Sequence, residues 1–166
     1  TAHELPAILR DVCSDPSIAE TVLLSTCHRV EAYVAATDPL EASRTLVTLL
    51  SARRALSPET LIPHLYHRTG RQAVAHLFRV AAGLDSVILG ESEITAQVKD
   101  AYHMAQQHGT THPLLNRLFQ KALHSTKLVR SHTRIAEGQA SIGSVVVTLA
   151  RHMFQDRLQR SEVLLW

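Results

Sequence analysis

Cysteine is scarce: the 166 residues hold two, Cys13 and Cys27. That is too few for the disulfide framework of a small secreted domain, and both are read as free thiols. Long apolar runs are missing too. No stretch approaches the roughly 20 residues that span a bilayer, and Thr1-Ala2-His3-Glu4-Leu5-Pro6 has neither the basic start nor the apolar middle of a signal peptide. A soluble cytoplasmic protein with no membrane partner is expected. Charge of one sign is also lacking: a net charge of +2 does not announce a nucleic-acid binder, so any RNA contact must come from a local basic patch. Eleven histidines are scattered without metal-ligand spacing such as HExxH, and no metal site is expected. Internal repeats and low-complexity segments are absent.

What is present is apolar content of 45%, enough for a core in one domain of one or two lobes. The chain is organised around Ser25-Thr26-Cys27-His28-Arg29-Val30-Glu31. Ahead of it, Thr21-Val22-Leu23-Leu24 reads as a buried strand. Behind it, Val30, Ala32, Val34 and Ala36 alternate onto one face of a second strand while Glu31 and Tyr33 take the other. Cys27 therefore lies in the connection between two strands. There a thiol is held by rigid backbone yet meets solvent, and His28 and Arg29 favour the nucleophilic thiolate. The alternative is that Cys27, like most free cysteines, is a small buried hydrophobe.

Leu5, Ile8, Leu9 and Val12 are spaced for a first helix, which makes Cys13 structural. Asp38-Pro39 starts a second helix with an N-cap and a proline at its first position, and an amphipathic pattern runs from Leu40 to Leu56. Ser57-Pro58 begins a turn, and His64-Leu65-Tyr66-His67-Arg68 reads as an edge strand. From Gly70 the pattern is helical. Arg71 to Leu84 forms one helix; Gly90 breaks the chain; Ser92 caps a helix with a core stripe of Ile94, Val98, Ala101 and Ala105. His112-Pro113 opens another, with Leu115, Leu118, Phe119, Ala122 and Val129 inward. Arg117, Lys121, His124, Lys127 and Arg130 point outward, a face that is either solvated surface or a nucleic-acid contact. Ile142 to Phe154 is helical again, and Ser161 to Trp166 looks like the first strand of a further unit.

Three stretches together resemble the glutamyl-tRNA reductase family. The first is Ser25-Thr26-Cys27-His28-Arg29-Val30-Glu31, similar to the family's S-T-C-N-R-x-E. The second runs from His76-Leu77-Phe78-Arg79-Val80-Ala81-Ala82-Gly83-Leu84-Asp85-Ser86 through Val87-Ile88-Leu89-Gly90-Glu91 to Gln97-Val98-Lys99. The third is Leu118-Phe119-Gln120 with Lys127-Leu128-Val129-Arg130, continuing to Ser141. The resemblance covers nearly the whole chain and implies an α+β catalytic region. Its small ferredoxin-like antiparallel sheet with helices, missing its first strand, spans 1–69; a helical subdomain spans 70–160; and 161–166 begins an NADPH-binding domain absent from this chain. No Rossmann domain falls within the chain, and no GxGxxG appears.

The resemblance also implies the chemistry. The family reduces glutamyl-tRNA to glutamate-1-semialdehyde for tetrapyrrole (porphyrin) synthesis. The glutamyl group passes to a cysteine, here Cys27, as a thioester that NADPH-derived hydride then reduces. His76 matches the histidine that acts as acid or base. Arg29 offers a fork for the substrate carboxylate. Thr26, Ser86 and Gln97 supply orienting groups, and Glu91 a partner for the substrate ammonium. Glu93 and Gln97 lie four apart on one helix face, so the helix start presents Glu91, Ser92, Glu93 and Gln97 together. Glutamyl-tRNA, the downstream aminomutase and a homodimeric partner are the implied partners. Three positions depart from the family pattern: His28 stands for asparagine, Ser92-Glu93 for Pro-Gln, and Ala96 for glycine. They put a titratable ring by the thiol and an extra negative charge in the substrate region. Two other readings stay open: a non-catalytic module that grips tRNA or haem, and a metal site of Cys27, His28 and His76.

Overall fold

The computed structural model describes residues 4–136 and 142–154. Helix α1 (Leu5–Cys13) leads into strand β1 (Ile18–Ser25), which pairs antiparallel with β2 (Val30–Ala36). Helix α2 (Pro39–Arg54) follows, then a short α3 (Pro58–Leu61) and a 3-10 turn at Ile62–His64. Four helices complete the described residues: α4 (Gly70–Ala81), α5 (Glu93–Gln107), α6 (Pro113–His132) and α7 (Ile142–Phe154). This is the expected α+β arrangement of a small antiparallel sheet followed by helices, with no Rossmann fold among the described residues. The expected strand at Ser161–Trp166 lies outside them.

Local signals set most of these elements. Asp38 caps α2 as expected, its carboxylate accepting the amide N–H groups of Leu40 at 2.8 Å and Glu41 at 3.2 Å ahead of Pro39. Ser92 does not do the same for α5. It occupies the N-cap position with helical dihedrals, and its side chain makes no cap bond. A cap hydroxyl reaches back to the first turn from an extended backbone, which Ser92 lacks.

The expected edge strand over His64–Arg68 also does not form. Pro63 removes an amide donor in the turn just before it, and residues 65–69 run without ladder partners. Tyr66 instead ties this segment to β2 through its side chain.

Strand β1 is buried from Glu20 to Leu24, on both faces. The face of β2 that carries Glu31, Tyr33 and Ala35 is the buried one, whereas Val30 is 71% exposed. Hydrophobicity alone would turn β2 the other way. Register decides: Tyr33 stands opposite Val22, and Glu31 opposite Leu24, so both share the side of β1 that meets the helices. The main core joins Leu9, Val22, Leu24 and Tyr33 to Leu77, Val80, Val98 and Phe119, and so runs through both halves of the chain. Tyr33 meets Phe119 edge-on and Tyr102 stacks on it, each at 5.4 Å. A second cluster, Val12, Ile18 and Ala42, holds α1 and α2 on the sheet's other side.

Glu20 fastens β1 to α6. Its buried carboxylate accepts the amide N–H groups of His112 (2.8 Å), Leu114 (3.0 Å) and Leu115 (2.8 Å). A carboxylate here satisfies orphan donors of the helix and meets the positive end of its dipole. Alongside, the Thr21 amide donates to the Thr110 carbonyl at 2.7 Å and the Thr110 hydroxyl donates back to the Thr21 carbonyl at 3.0 Å, covering the outer edge of β1.

Candidate active site

Between β1 and β2 the chain reverses through Thr26-Cys27-His28-Arg29. Thr26 builds this turn. Its amide donates to the Arg29 carbonyl at 2.8 Å, and its hydroxyl oxygen accepts the amides of His28 at 3.2 Å and Arg29 at 3.1 Å. These bonds replace the ladder partners that the chain gives up on leaving the sheet. Cys27 projects at the tip, exposed and unpaired by any disulfide, with His28 exposed beside it. Cys13 is half-buried at the end of α1. The solvent-facing thiol expected of Cys27 is therefore present.

Directly behind the turn Glu31 gathers four donors. Its Oε1 accepts from Arg29 Nη1 at 2.8 Å, from the Tyr66 hydroxyl at 2.5 Å and from His76 Nε2 at 3.0 Å, while Oε2 takes the Tyr33 hydroxyl. Burial opposes the charge on Glu31. The hydrogen bonds from Tyr33, Tyr66 and His76 outweigh it and hold the carboxyl below the usual carboxylate range. The two phenols move the other way: burial and the adjacent Glu31 charge push both Tyr33 and Tyr66 up. An ionised carboxylate only accepts, so His76 Nε2 carries the hydrogen in this contact. His76 itself is buried on α4. The Tyr66 ring meets its imidazole edge-on at 5.6 Å, and the Arg68 guanidinium lies over the phenol ring, 5.5 Å from its centroid.

Arg29 extends the network in a second direction. Its Nη2 donates to the Asp85 carbonyl at 2.6 Å and lies 3.3 Å from Asp85 Oδ2. Burial would weaken the charge on the guanidinium; Glu31 and then Asp85 more than restore it and raise its affinity for the proton. Asp85 belongs to a loop closed by two glycines. Gly83 (φ +73) and Gly90 (φ +77) both take left-handed backbone, and the Gly90 amide donates to the Gly83 carbonyl at 2.7 Å. A Cβ on Gly83 would sit 2.9 Å from Gly90 Cα, so the two backbones touch where only glycine fits. Arg130 secures the crossing from α6, donating to the carbonyls of Gly90 at 2.9 Å and Glu91 at 3.3 Å. This corrects the expectation that Arg130 belongs to the outward basic face.

The turn residues Thr26, Cys27, His28 and Arg29 are thus brought together. Glu31 joins Arg29 to His76, and Asp85 joins Arg29 to the loop that carries half-buried Ser86. Glu91 is half-buried at the glycine crossing, and Ser92 and Glu93 are exposed at the start of α5. Gln97 donates to Glu93 at 3.2 Å, the shared helix face expected of the pair. No hydrogen bond or ion pair connects this pair to Arg29 or Glu31 among the described residues. Nor do Cys27, His28 and His76 form a metal-ligand cluster there, which leaves the metal reading without support. Glu31, Tyr33, Tyr66 and Asp85 join the network without a role expected from the sequence. A carboxylate and a phenol alternating on one strand face were a signal for the first two; Tyr66 had none, because it lies in an irregular segment.

A family model described as "Glutamyl-tRNAGlu reductase, N-terminal domain" matches residues 1–133. The glutamyl-tRNA reductase of Syntrophotalea carbinolica is 43% identical over 154 residues, covering 93% of this chain and 35% of that protein. The one from Stutzerimonas stutzeri is 42% identical over 165 residues, covering 99% and 38%. Among solved structures, glutamyl-tRNA reductase from Methanopyrus kandleri superposes with a TM-score of 0.69 at 35% identity, over 89% of this chain and 34% of that one. The chain spans about a third of the length of these relatives. Motif order, fold and sequence identity agree, and the chain belongs to the glutamyl-tRNA reductase family, whose N-terminal domain it matches.

Proposed function

We propose that this chain is the acyl-accepting domain of an enzyme that reduces glutamyl-tRNA to glutamate-1-semialdehyde for tetrapyrrole synthesis. The observation that carries the reading is an exposed Cys27 on a fixed turn, backed directly by the Arg29–Glu31–His76 network. The Cys27 thiolate attacks the carbonyl carbon of the aminoacyl ester. A carbon–sulfur bond forms, the bond to the ribose oxygen breaks, and that oxygen takes up the proton the thiol has given up. His76 carries the proton through Nδ1, because Nε2 is committed to Glu31. Arg29 holds the substrate carboxylate by exchanging its contact with Asp85, the more exposed of its two acidic partners at 36% against 5% for Glu31. Thr26 and His28 shape the rim of the turn, while Ser86, Glu91, Ser92, Glu93 and Gln97 orient the glutamyl group.

The family's reductant, NADPH, supplies hydride, and the residues here do not fit it. The sequence has no GxGxxG, and the described sheet is a two-stranded antiparallel pair rather than the parallel βαβ that seats a dinucleotide. NADPH is assigned to a part of the protein outside this chain, and no hydride step is built on these residues. A homodimer, hand-over of the labile semialdehyde to an aminomutase, and a cytoplasmic site of action belong to the same proposal. Among the described residues no helix is long and apolar enough to cross a membrane.

Incubation with glutamyl-tRNA followed by peptide mass spectrometry tests the reading. The expected result is a glutamyl adduct on Cys27 that hydroxylamine removes and that Cys27→Ser abolishes. A folded protein labelled on Cys13, or on no residue, would overturn it in favour of a binding module.

A further inference from the structure

Helix α6 is charged in one sense. Across Pro113–His132 it carries Arg117, Lys121, Lys127 and Arg130 and not one Asp or Glu, in a chain whose cations and anions nearly balance overall at 17 and 15. Arg130 turns away to the Gly90–Glu91 crossing. The other three stay exposed and make no ion pair with any described residue. A salt bridge or helix-dipole contact would explain an isolated lysine, but three unpaired cations on one helix repel each other and call for an outside counter-charge.

The surface between α5 and α6 has the shape to receive one. A hollow of about 330 Å³ is lined by Lys99 and His103 from α5 and by Gln120, His124 and Lys127 from α6. Its floor is the Tyr102 hydroxyl, which accepts from Gln106 at 2.9 Å and Gln120 at 3.2 Å and donates to Asn116 at 3.0 Å. That polar knot fixes the amides that face the groove. A second hollow of about 360 Å³ adjoins it, sharing Gln120 and His124 and adding Arg117 and Lys121. Among the described residues no carboxylate lines either one. Asp100 is exposed on α5 but contributes to neither wall. From Arg117 to Lys127 the cations extend along about 15 Å of helix axis, at 1.5 Å of rise per residue. That is a row, suited to a linear polyanion rather than to a single small anion.

We propose that the α5–α6 groove docks the phosphate backbone of the tRNA, with Lys99, Arg117, Lys121 and Lys127 as its phosphate contacts and the amide of Gln120 as a neutral donor. This rests on the reading of the chain as an acceptor from glutamyl-tRNA and names the surface that holds the RNA. Such contacts position the nucleic acid and read no sequence, which suits a groove of flexible cations with one buried aromatic ring as its floor. No step of the acyl transfer passes through these residues.

The test uses uncharged tRNA, so that binding is read without chemistry, over 50 to 200 mM salt. Contacts with about four phosphates give a log–log slope near −3.6 and roughly a 150-fold loss of affinity over that range. The double charge reversal Lys121→Glu with Lys127→Glu is expected to remove about two slope units and to weaken binding more than tenfold at the low-salt end. Both side chains are exposed, and an unchanged circular dichroism melt checks that the variant is folded. The same variant should keep its rate of Cys27 acylation by a small glutamyl thioester, which carries no phosphate. If the folded variant binds tRNA within twofold of the parent with the same slope, the groove is not the docking site. Failure of Cys27 to accept any acyl group would sink the catalytic reading and leave this binding result standing, so the two are separable.

Discussion

At the scale of single residues the site turns on Glu31. A carboxylate 5% exposed is costly unless its charge is matched, and here Arg29, Tyr33, Tyr66 and His76 match it. Its folded pKa lies below its unfolded one, so the stability that it contributes is complete above the ordinary carboxylate range and is lost as pH falls through the lowered value. The melting temperature should therefore drop steeply below about pH 4.3. Glu31→Gln should flatten that acid limb while costing stability near neutral pH, as thermal melts across pH 3–7 would read. Tyr66→Phe removes one of the donors that depress the carboxyl, so its acid limb should be shallower than that of the parent. These residues explain what the sequence could and could not disclose about the site. The exposed turn position of Cys27 and the place of His76 on a helix were legible from strand alternation and helical spacing. The carboxylate that ties Arg29 to His76 was not, because a glutamate on a short strand reads as a solvent-facing residue until register turns its face inward.

At the scale of elements, the chain's own punctuation was easy to follow. Asp38-Pro39 starts α2 and His112-Pro113 starts α6, each where a proline at the first turn allows it. Misreadings came where a tertiary contact replaced a local one. Residues 64–68 looked like a strand by composition, yet they are held by the Tyr66 phenol and not by a ladder. Ser92 stands at a cap position, yet its backbone is already helical and its hydroxyl makes no cap bond, just after the glycine crossing. That crossing gives a sharp prediction. Gly83→Ala must carry a side chain at φ +73 against the Gly90 backbone and should lose roughly 1–3 kcal/mol of stability in urea titrations. Arg130→Ala leaves the crossing without its clamp. Amide exchange should accelerate across 84–91 while the core of α4 stays protected.

Across the whole molecule, one buried cluster makes the sheet and the helices a unit. Phe119 is its largest fully buried side chain and meets both Tyr33 and Tyr102. Phe119→Ala should cost about 3–5 kcal/mol, read as a lower urea midpoint with the slope unchanged. Periodicity foretold Phe119, Leu115 and Ala122 on the inner stripe of α6 because helix spacing alone decides which side chains share a face. It was silent on Glu20, whose partners lie more than 90 residues away. That long-range clasp bears on the order of events during synthesis. The β1–β2 ribbon leaves the ribosome long before the amides that Glu20 accepts, so its outer strand is completed only after α6 emerges. A nascent chain halted before residue 112 should exchange the backbone amides of Ile18–Ser25 freely, and those amides should become protected only once α6 has emerged.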